Sequence, residues 1–85
     1  MVLIVTIVST ANNIKMNKQY LQKLAKQIKK IRKEKNLKQD DLASEYVSRS
    51  MISLLETART DITVSKLKHI ADNLQVTMKN IFDFD

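Results

Sequence analysis

The chain has 85 residues, a formal net charge of +6, a single histidine, and no cysteine, glycine or proline. This length suits one small domain, and the lack of Cys excludes a disulfide framework and a thiolate metal site. Without a metal cluster, a glycine-rich phosphate loop or a nucleophile paired with a base, we predict no metal ion, no cofactor and no enzyme activity. The absence of Cys fits a cytoplasmic protein.

The positive charge is concentrated in one stretch of the chain. From Lys15 to Lys38 there are ten basic residues and one acid, Glu34. Such asymmetry indicates a polyanionic partner, either nucleic acid or an anionic membrane surface. The alternative interpretation is a solvated helix face that has no partner.

The first 15 residues differ in character from the rest. Residues 1–8, MVLIVTIV, form an apolar run too short to span a bilayer, which needs about 20 residues. Three alternatives stay open: a misassigned start codon upstream of Met16, an edge strand that pairs or dimerises, and a disordered or membrane-touching tail. We therefore interpret residues 1–15 as an N-terminal extension and residues 16–85 as the domain.

Hydrophobic periodicity predicts an all-α domain of five helices. They are expected at residues 17–35, 39–46, 49–58, 64–74 and 78–82. Ser48, Thr63 and Thr77 are the predicted N-caps of the last three, because a hydroxyl oxygen can accept a bond from a free backbone N–H. Lys38 offers no such cap to the second helix. Asn36 should adopt the left-handed conformation that ends the first helix.

The apolar positions of these helices define one predicted core. Its members are Leu24, Ile28, Ile31, Leu42, Ala43, Val47, Ile52, Leu55, Leu67, Ile70, Leu74 and Ile81. Tyr46 shares the inward face of the second helix, and Phe82 is expected to close the core beside Ile81. His69 falls off the apolar stripe of its helix, which favours a surface position over a metal ligand.

The second and third predicted helices are separated by only about two residues, Val47 and Ser48. That connection is too short for a long antiparallel hairpin. It favours two crossed helices joined by a tight turn, which is typical of a helix-turn-helix unit.

Residues 21–82 resemble the Cro/CI-type helix-turn-helix family, also called the XRE family or lambda-repressor-like fold. The matching positions are Arg32, Gln39, Leu42, Ala43, Val47, Ser48, Arg49, Ser50, Ile52, Ser53, Glu56, Leu67, Ile70, Ala71, Leu74 and Val76. The turn lacks the usual Gly and is similar to that of the peptide-pheromone regulators PlcR, PrgX and Rgg. Thr57 and Ala58 stand where the family usually has a Gly after Glu56.

The resemblance implies a five-helix domain that places its third helix in the major groove of double-stranded DNA. Arg49 would read guanine through O6 and N7. The expected DNA-binding residues are Lys38, Gln39, Ser48, Arg49, Ser50, Met51, Ser53, Leu54, Thr57, Arg59 and Thr60. Of these, Gln39 would meet a phosphate or brace the first residue of the third helix. The alternative for Arg49 and Ser50 is an ordinary exposed helix position. For Met51 it is core packing, and for Leu54 a dimer contact or core edge. The family also implies an ion pair between Arg32 and Glu56.

The leading functional interpretation is a transcriptional repressor that binds a two-fold operator as a homodimer. One alternative is an antitoxin whose DNA-binding domain also holds a toxin. A module that binds a membrane surface or a peptide through the apolar N-terminus is another, although we expect no membrane partner. RNA binding is disfavoured, because few aromatic residues are present for base stacking.

Overall fold

The computed structural model describes the backbone of residues 2–84 and the side-chain surroundings of residues 18–84. Five helices follow one another along it: α1 (Val2–Glu34), α2 (Gln39–Leu42), α3 (Arg49–Glu56), α4 (Val64–Leu74) and α5 (Met78–Ile81). There is no strand in this part of the chain. The predicted all-α class with five helices is confirmed.

The first helix is longer than the sequence pattern indicated. The backbone of residues 2–16 is helical and continues without a break into the amphipathic stretch that ends at Glu34. The structure therefore has a helix where one of the three alternatives placed an edge strand, while the division at residue 15 stays a prediction. None of the helices in the described residues is both long and apolar enough to cross a membrane.

The second helix is much shorter than predicted. The prediction that only two residues separate it from the third helix is therefore wrong. It ends at Leu42, and Ala43 is extended with φ −75° and ψ 153°. The hydroxyl of Ser44 accepts a bond from the backbone N–H of Tyr46 at 3.1 Å, and Ser44 N–H donates to the Val47 carbonyl at 2.8 Å. These local bonds compete with helical ones, so a six-residue connection replaces the last turn of the predicted helix.

Three helices end in the same way, with a non-glycine residue in the left-handed conformation. Asn36, Ala58 and Gln75 have φ of 58°, 58° and 60°. After each, a backbone N–H bonds back to a carbonyl five residues earlier, as in Arg59 to Leu54 at 2.9 Å. These are Schellman motifs, which normally use Gly. Asn36 behaves as predicted, whereas Ala58 adopts the conformation at a steric cost of about 1–2 kcal/mol.

A single core joins α1 to the four short helices. Eleven of the twelve predicted core residues are buried; Ala43, which begins the extended connection, is only half-buried. Ala25 and Ala71 are also buried. The side-chain amide of Asn73 on α4 donates to the carbonyl of Leu42 at 3.0 Å, so it satisfies an acceptor that the short α2 leaves free. The core therefore fixes α2 and α3 against α1 and α4.

Three aromatic side chains form a cluster on the surface beside α1. Tyr20 lies 6.4 Å from Phe82 and 6.3 Å from Phe84, measured between ring centroids. The prediction that Phe82 closes the core is wrong, since its side chain is 39% exposed while Ile81 is fully buried. Burial, with a smaller effect from the charge of Asp61, raises the pKa of the Tyr20 hydroxyl.

Candidate nucleic-acid interface

The third helix presents two different faces. Ile52, Leu55 and Glu56 are buried against the rest of the domain. Arg49, Ser50, Ser53, Leu54 and Thr57 are all exposed. At 3.6 residues per turn these five positions fall on one side of the helix. The fold thus holds α3 by its apolar side and leaves a face of polar, basic and one apolar side chain open to solvent.

The C-terminal end of α3 is anchored by a buried ion pair. The guanidinium of Arg32 on α1 donates two hydrogen bonds to the Glu56 carboxylate, from Nε at 2.7 Å and from Nη2 at 2.8 Å. The side chains are 11% and 2% exposed, respectively. The bond to Glu56 raises the pKa of Arg32, against the opposing effect of burial. The parallel two-bond geometry makes this contact between α1 and α3 specific in orientation.

Two further bonds complete this anchor. Arg32 Nη1 donates to the Leu37 carbonyl at 2.9 Å, and Gln39 Nε2 donates to Glu56 Oε1 at 3.2 Å. Gln39 therefore braces the last residue of α3; the prediction that it braces the first residue is wrong. Every buried side-chain nitrogen or oxygen in the described residues has a hydrogen-bond partner. The network joins α1, α2 and α3 through side-chain hydrogen bonds.

The N-terminal end of α3 is built differently. The Ser48 hydroxyl accepts a bond from the Met51 backbone N–H at 3.1 Å and so caps the helix. The first helical residue, Arg49, lies with its Nε 3.5 Å from Oδ1 of Asp40 on α2. Both of these side chains are 67% exposed. Arg49 is thus within reach of solvent and of one carboxylate.

The connection between α2 and α3 is held to α4 by an aromatic stack. The rings of Tyr46 and His69 are 4.0 Å apart between centroids and 8° from parallel. Tyr46 is 54% exposed, which corrects its expected place on the inward face of a helix. The stack restrains residues 43–48 together with the local hydrogen bonds of Ser44. Sequence periodicity could not reveal it, because the two residues are far apart in the chain.

The residues around the exposed face of α3 differ in the hydrogen bonds that they can still donate to a ligand. Thr57 Oγ1 donates to the Ser53 and Leu54 carbonyls at 3.0 and 3.1 Å, and Thr60 Oγ1 to the Asp61 carbonyl at 3.1 Å. Their hydroxyl protons are therefore already used within the protein. By contrast, the Lys38 ammonium and the Arg59 guanidinium are exposed and can donate to an anion.

The two apolar residues of the predicted site take different places. Met51 is half-buried and packs against the core, which is the alternative that the sequence left open for it. Leu54 remains 41% exposed on the open face. Asp40 is a neighbour of Arg49 that the sequence did not assign to the site. In the sequence it is only a carboxylate in the first turn of α2, where a negative charge suits the helix dipole.

Comparison with known proteins identifies the class to which this fold and face belong. A family model of helix-turn-helix proteins matches residues 28–80, from the last two turns of α1 to α5. The chain therefore belongs to the helix-turn-helix family of the Cro/CI type, and its fold is of the lambda-repressor kind. This is a DNA-binding family of transcription regulators. Neither the curated proteins nor the solved structures that we compared include a match.

Proposed function

We propose that this protein is a transcriptional repressor that binds a two-fold DNA operator as a homodimer, with α3 in the major groove. The observation that carries the proposal is the orientation of α3. Its apolar side and Glu56 are locked into the domain, while Arg49, Ser50 and Ser53 project into solvent. A helix held this way can enter the major groove of DNA, which is about 12 Å wide, without breaking any contact within the domain.

Each exposed residue has a definite role in the proposal. Arg49 is the base reader, since its guanidinium can give two bonds to guanine O6 and N7. Ser50 and Ser53 bond base edges or phosphates, and Leu54 contacts a thymine methyl group. The Ser48 hydroxyl accepts its capping bond and still has a proton to donate to a phosphate.

The DNA backbone would be held by residues that flank this face. Lys38 and Arg59 are both exposed and cationic, so they suit phosphate contacts. Since Thr57 and Thr60 already donate their hydroxyl protons to carbonyls, they contribute to the shape of the surface more than to phosphate binding. The net charge of +6 adds long-range attraction to DNA.

Dimerisation follows from the small size of one reading unit. A single α3 reaches only a few base pairs, and two copies at half-sites about 34 Å apart give enough affinity for a specific site. A cytoplasmic location goes with this role.

A second candidate is an antitoxin that also binds a protein partner. The aromatic cluster of Tyr20, Phe82 and Phe84 favours it, because two of these side chains are more than a third exposed. Exposed aromatic groups are common in protein interfaces. A stable complex with a toxin that is lost on Phe82→Ser, with DNA binding retained, would support this candidate over the simple repressor.

The repressor proposal is tested by selecting binding sites from a randomised pool of duplex DNA. We expect an enriched two-fold motif for the natural protein. Arg49→Ala should relax the motif at one base of each half-site. Lys79→Ala on α5 is the matched control, because it removes one positive charge from a different helix and should leave the motif unchanged. Retention of DNA without any motif would contradict the proposal.

A further inference from the structure

The contact between Arg49 and Asp40 differs from the other exposed ion pairs in the described residues. Lys30–Glu34 and Lys68–Asp72 each lie within one helix, four residues apart. Asp40 and Arg49 instead join α2 to α3 across the six-residue connection. The pair therefore joins Arg49, the proposed base reader, to α2.

The Asp40 carboxylate lies in the first turn of α2, where it suits the helix dipole, but the dipole does not require a contact with Arg49. The neighbouring carboxylate, Asp41, accepts the bond from the Lys38 backbone N–H at 2.7 Å and so stabilises the start of α2. Asp40 is exposed and its side chain contacts Arg49. On a surface that faces DNA, a carboxylate repels phosphates. Its presence beside Arg49 calls for a role in which a negative charge is useful.

The atoms in contact suggest that role. Asp40 approaches Nε, which lies on the inner edge of the guanidinium. The two terminal nitrogens remain free, and these are the ones that meet O6 and N7 of guanine in an end-on approach. Arginine has many rotamers in solution, and ordering it on binding costs entropy. A carboxylate that holds Nε limits this freedom before DNA arrives.

We propose that Asp40 is a positioning residue: it holds the Arg49 guanidinium toward guanine and so sets base specificity without contacting a base. This inference rests on the proposed function. A bidentate contact from arginine to guanine discriminates roughly 5- to 150-fold against the wrong base. Loss of Asp40 removes the restraint on Arg49 but not the contact itself. Because the pair is exposed and therefore weak, the discrimination should fall by about twofold, a small part of that range.

The test measures the ratio of dissociation constants for a mismatched and a preferred site, at the base that Arg49→Ala relaxes. We expect Asp40→Asn to lower this ratio. Asp41→Asn is the matched control, since it removes the same charge from the adjacent residue and an Asn can still accept the Lys38 bond. Both Asn variants gain general affinity through weaker phosphate repulsion, but this gain cancels in the ratio. Thermal melts confirm that each variant is folded.

A double-mutant cycle completes the experiment. In the Arg49→Ala background, Asp40→Asn should leave the ratio unchanged, because the side chain that it positions is gone. If Asp40→Asn keeps the natural ratio while Arg49→Ala reduces it, the inference is wrong and the proposed function stands. An equal fall in Asp41→Asn would also overturn it. If the natural protein prefers no base, the proposed function fails and the inference fails with it.

Discussion

An ion pair between an arginine and a carboxylate lies at each end of α3, yet the two pairs differ in burial and in role. Arg32 and Glu56 are joined by two short bonds and are nearly inaccessible to water. Nε of Arg49 lies 3.5 Å from Oδ1 of Asp40, and both side chains are about two-thirds exposed. Water screens the pair of Arg49 and Asp40, so Arg49 can leave Asp40 and bind another partner. No ligand can reach Arg32, so its bonds to Glu56 persist. Burial thus decides whether the pair holds the fold or is available to a ligand.

The largest expected effect is at the buried pair. Glu56→Gln leaves the Arg32 guanidinium buried without its counter-charge, so it should reduce the free energy of unfolding by about 3–5 kcal/mol. For a chain of this size that is a large part of the total stability. Urea denaturation followed by circular dichroism measures it. An unchanged midpoint would remove the distinction between the two pairs.

A double replacement serves as the control for Glu56→Gln. Changing both residues, Arg32→Met with Glu56→Met, removes the buried charges together and should cost less stability than Glu56→Gln alone. If the double variant is the less stable of the two, the cost comes from lost packing and not from an unpaired charge.

At the exposed end, the expected effect is on DNA and not on the fold. Arg49→Ala should weaken binding to the selected operator by about 1–3 kcal/mol. Its melting temperature should stay close to that of the natural protein, because the side chain is exposed. Fluorescence anisotropy with a labelled operator measures the first quantity and a thermal melt the second. A variant that loses both together would show that Arg49 acts through the fold.

Ala58, two residues after Glu56, is a position where a substitution should raise the stability of the domain. Ala58 has φ 58°, a conformation that glycine adopts without steric cost. Ala58→Gly should therefore stabilise the domain by up to about 1 kcal/mol, or about 4–8 °C in melting temperature. Ala43→Gly is the control, since φ is −75° there and glycine only adds disorder to the unfolded chain. A loss of stability in both variants would show that Ala58 is not strained.

The smallest effect on stability is expected at Asp40. Exposed ion pairs contribute only about 0–1 kcal/mol, so Asp40→Asn should change the free energy of unfolding by less than about 0.5 kcal/mol. The same denaturation experiment gives this value beside that of Glu56→Gln. A loss as large as at Glu56 would mean that both pairs hold the fold.

The domain shows where sequence patterns succeed. The apolar stripe of α1 and the caps at Ser48, Thr63 and Thr77 depend on short-range spacing, and the structure has each of them. The prediction of a long α2 failed for a physical reason. Tyr46 fits a helical pattern, but Ser44 offers the backbone a competing local bond and His69 offers the ring a partner.

By itself the sequence determined the all-α class, the order of the helices, the core positions and the family, because all of these depend on periodicity, capping residues and motif spacing. It did not determine which side chains meet across the chain. Only the tertiary structure turned Gln39 toward Glu56, stacked Tyr46 on His69 and set Asp40 beside Arg49. Such contacts depend on the packing angles of α1, α2, α3 and α4, which the whole core decides and no local pattern encodes.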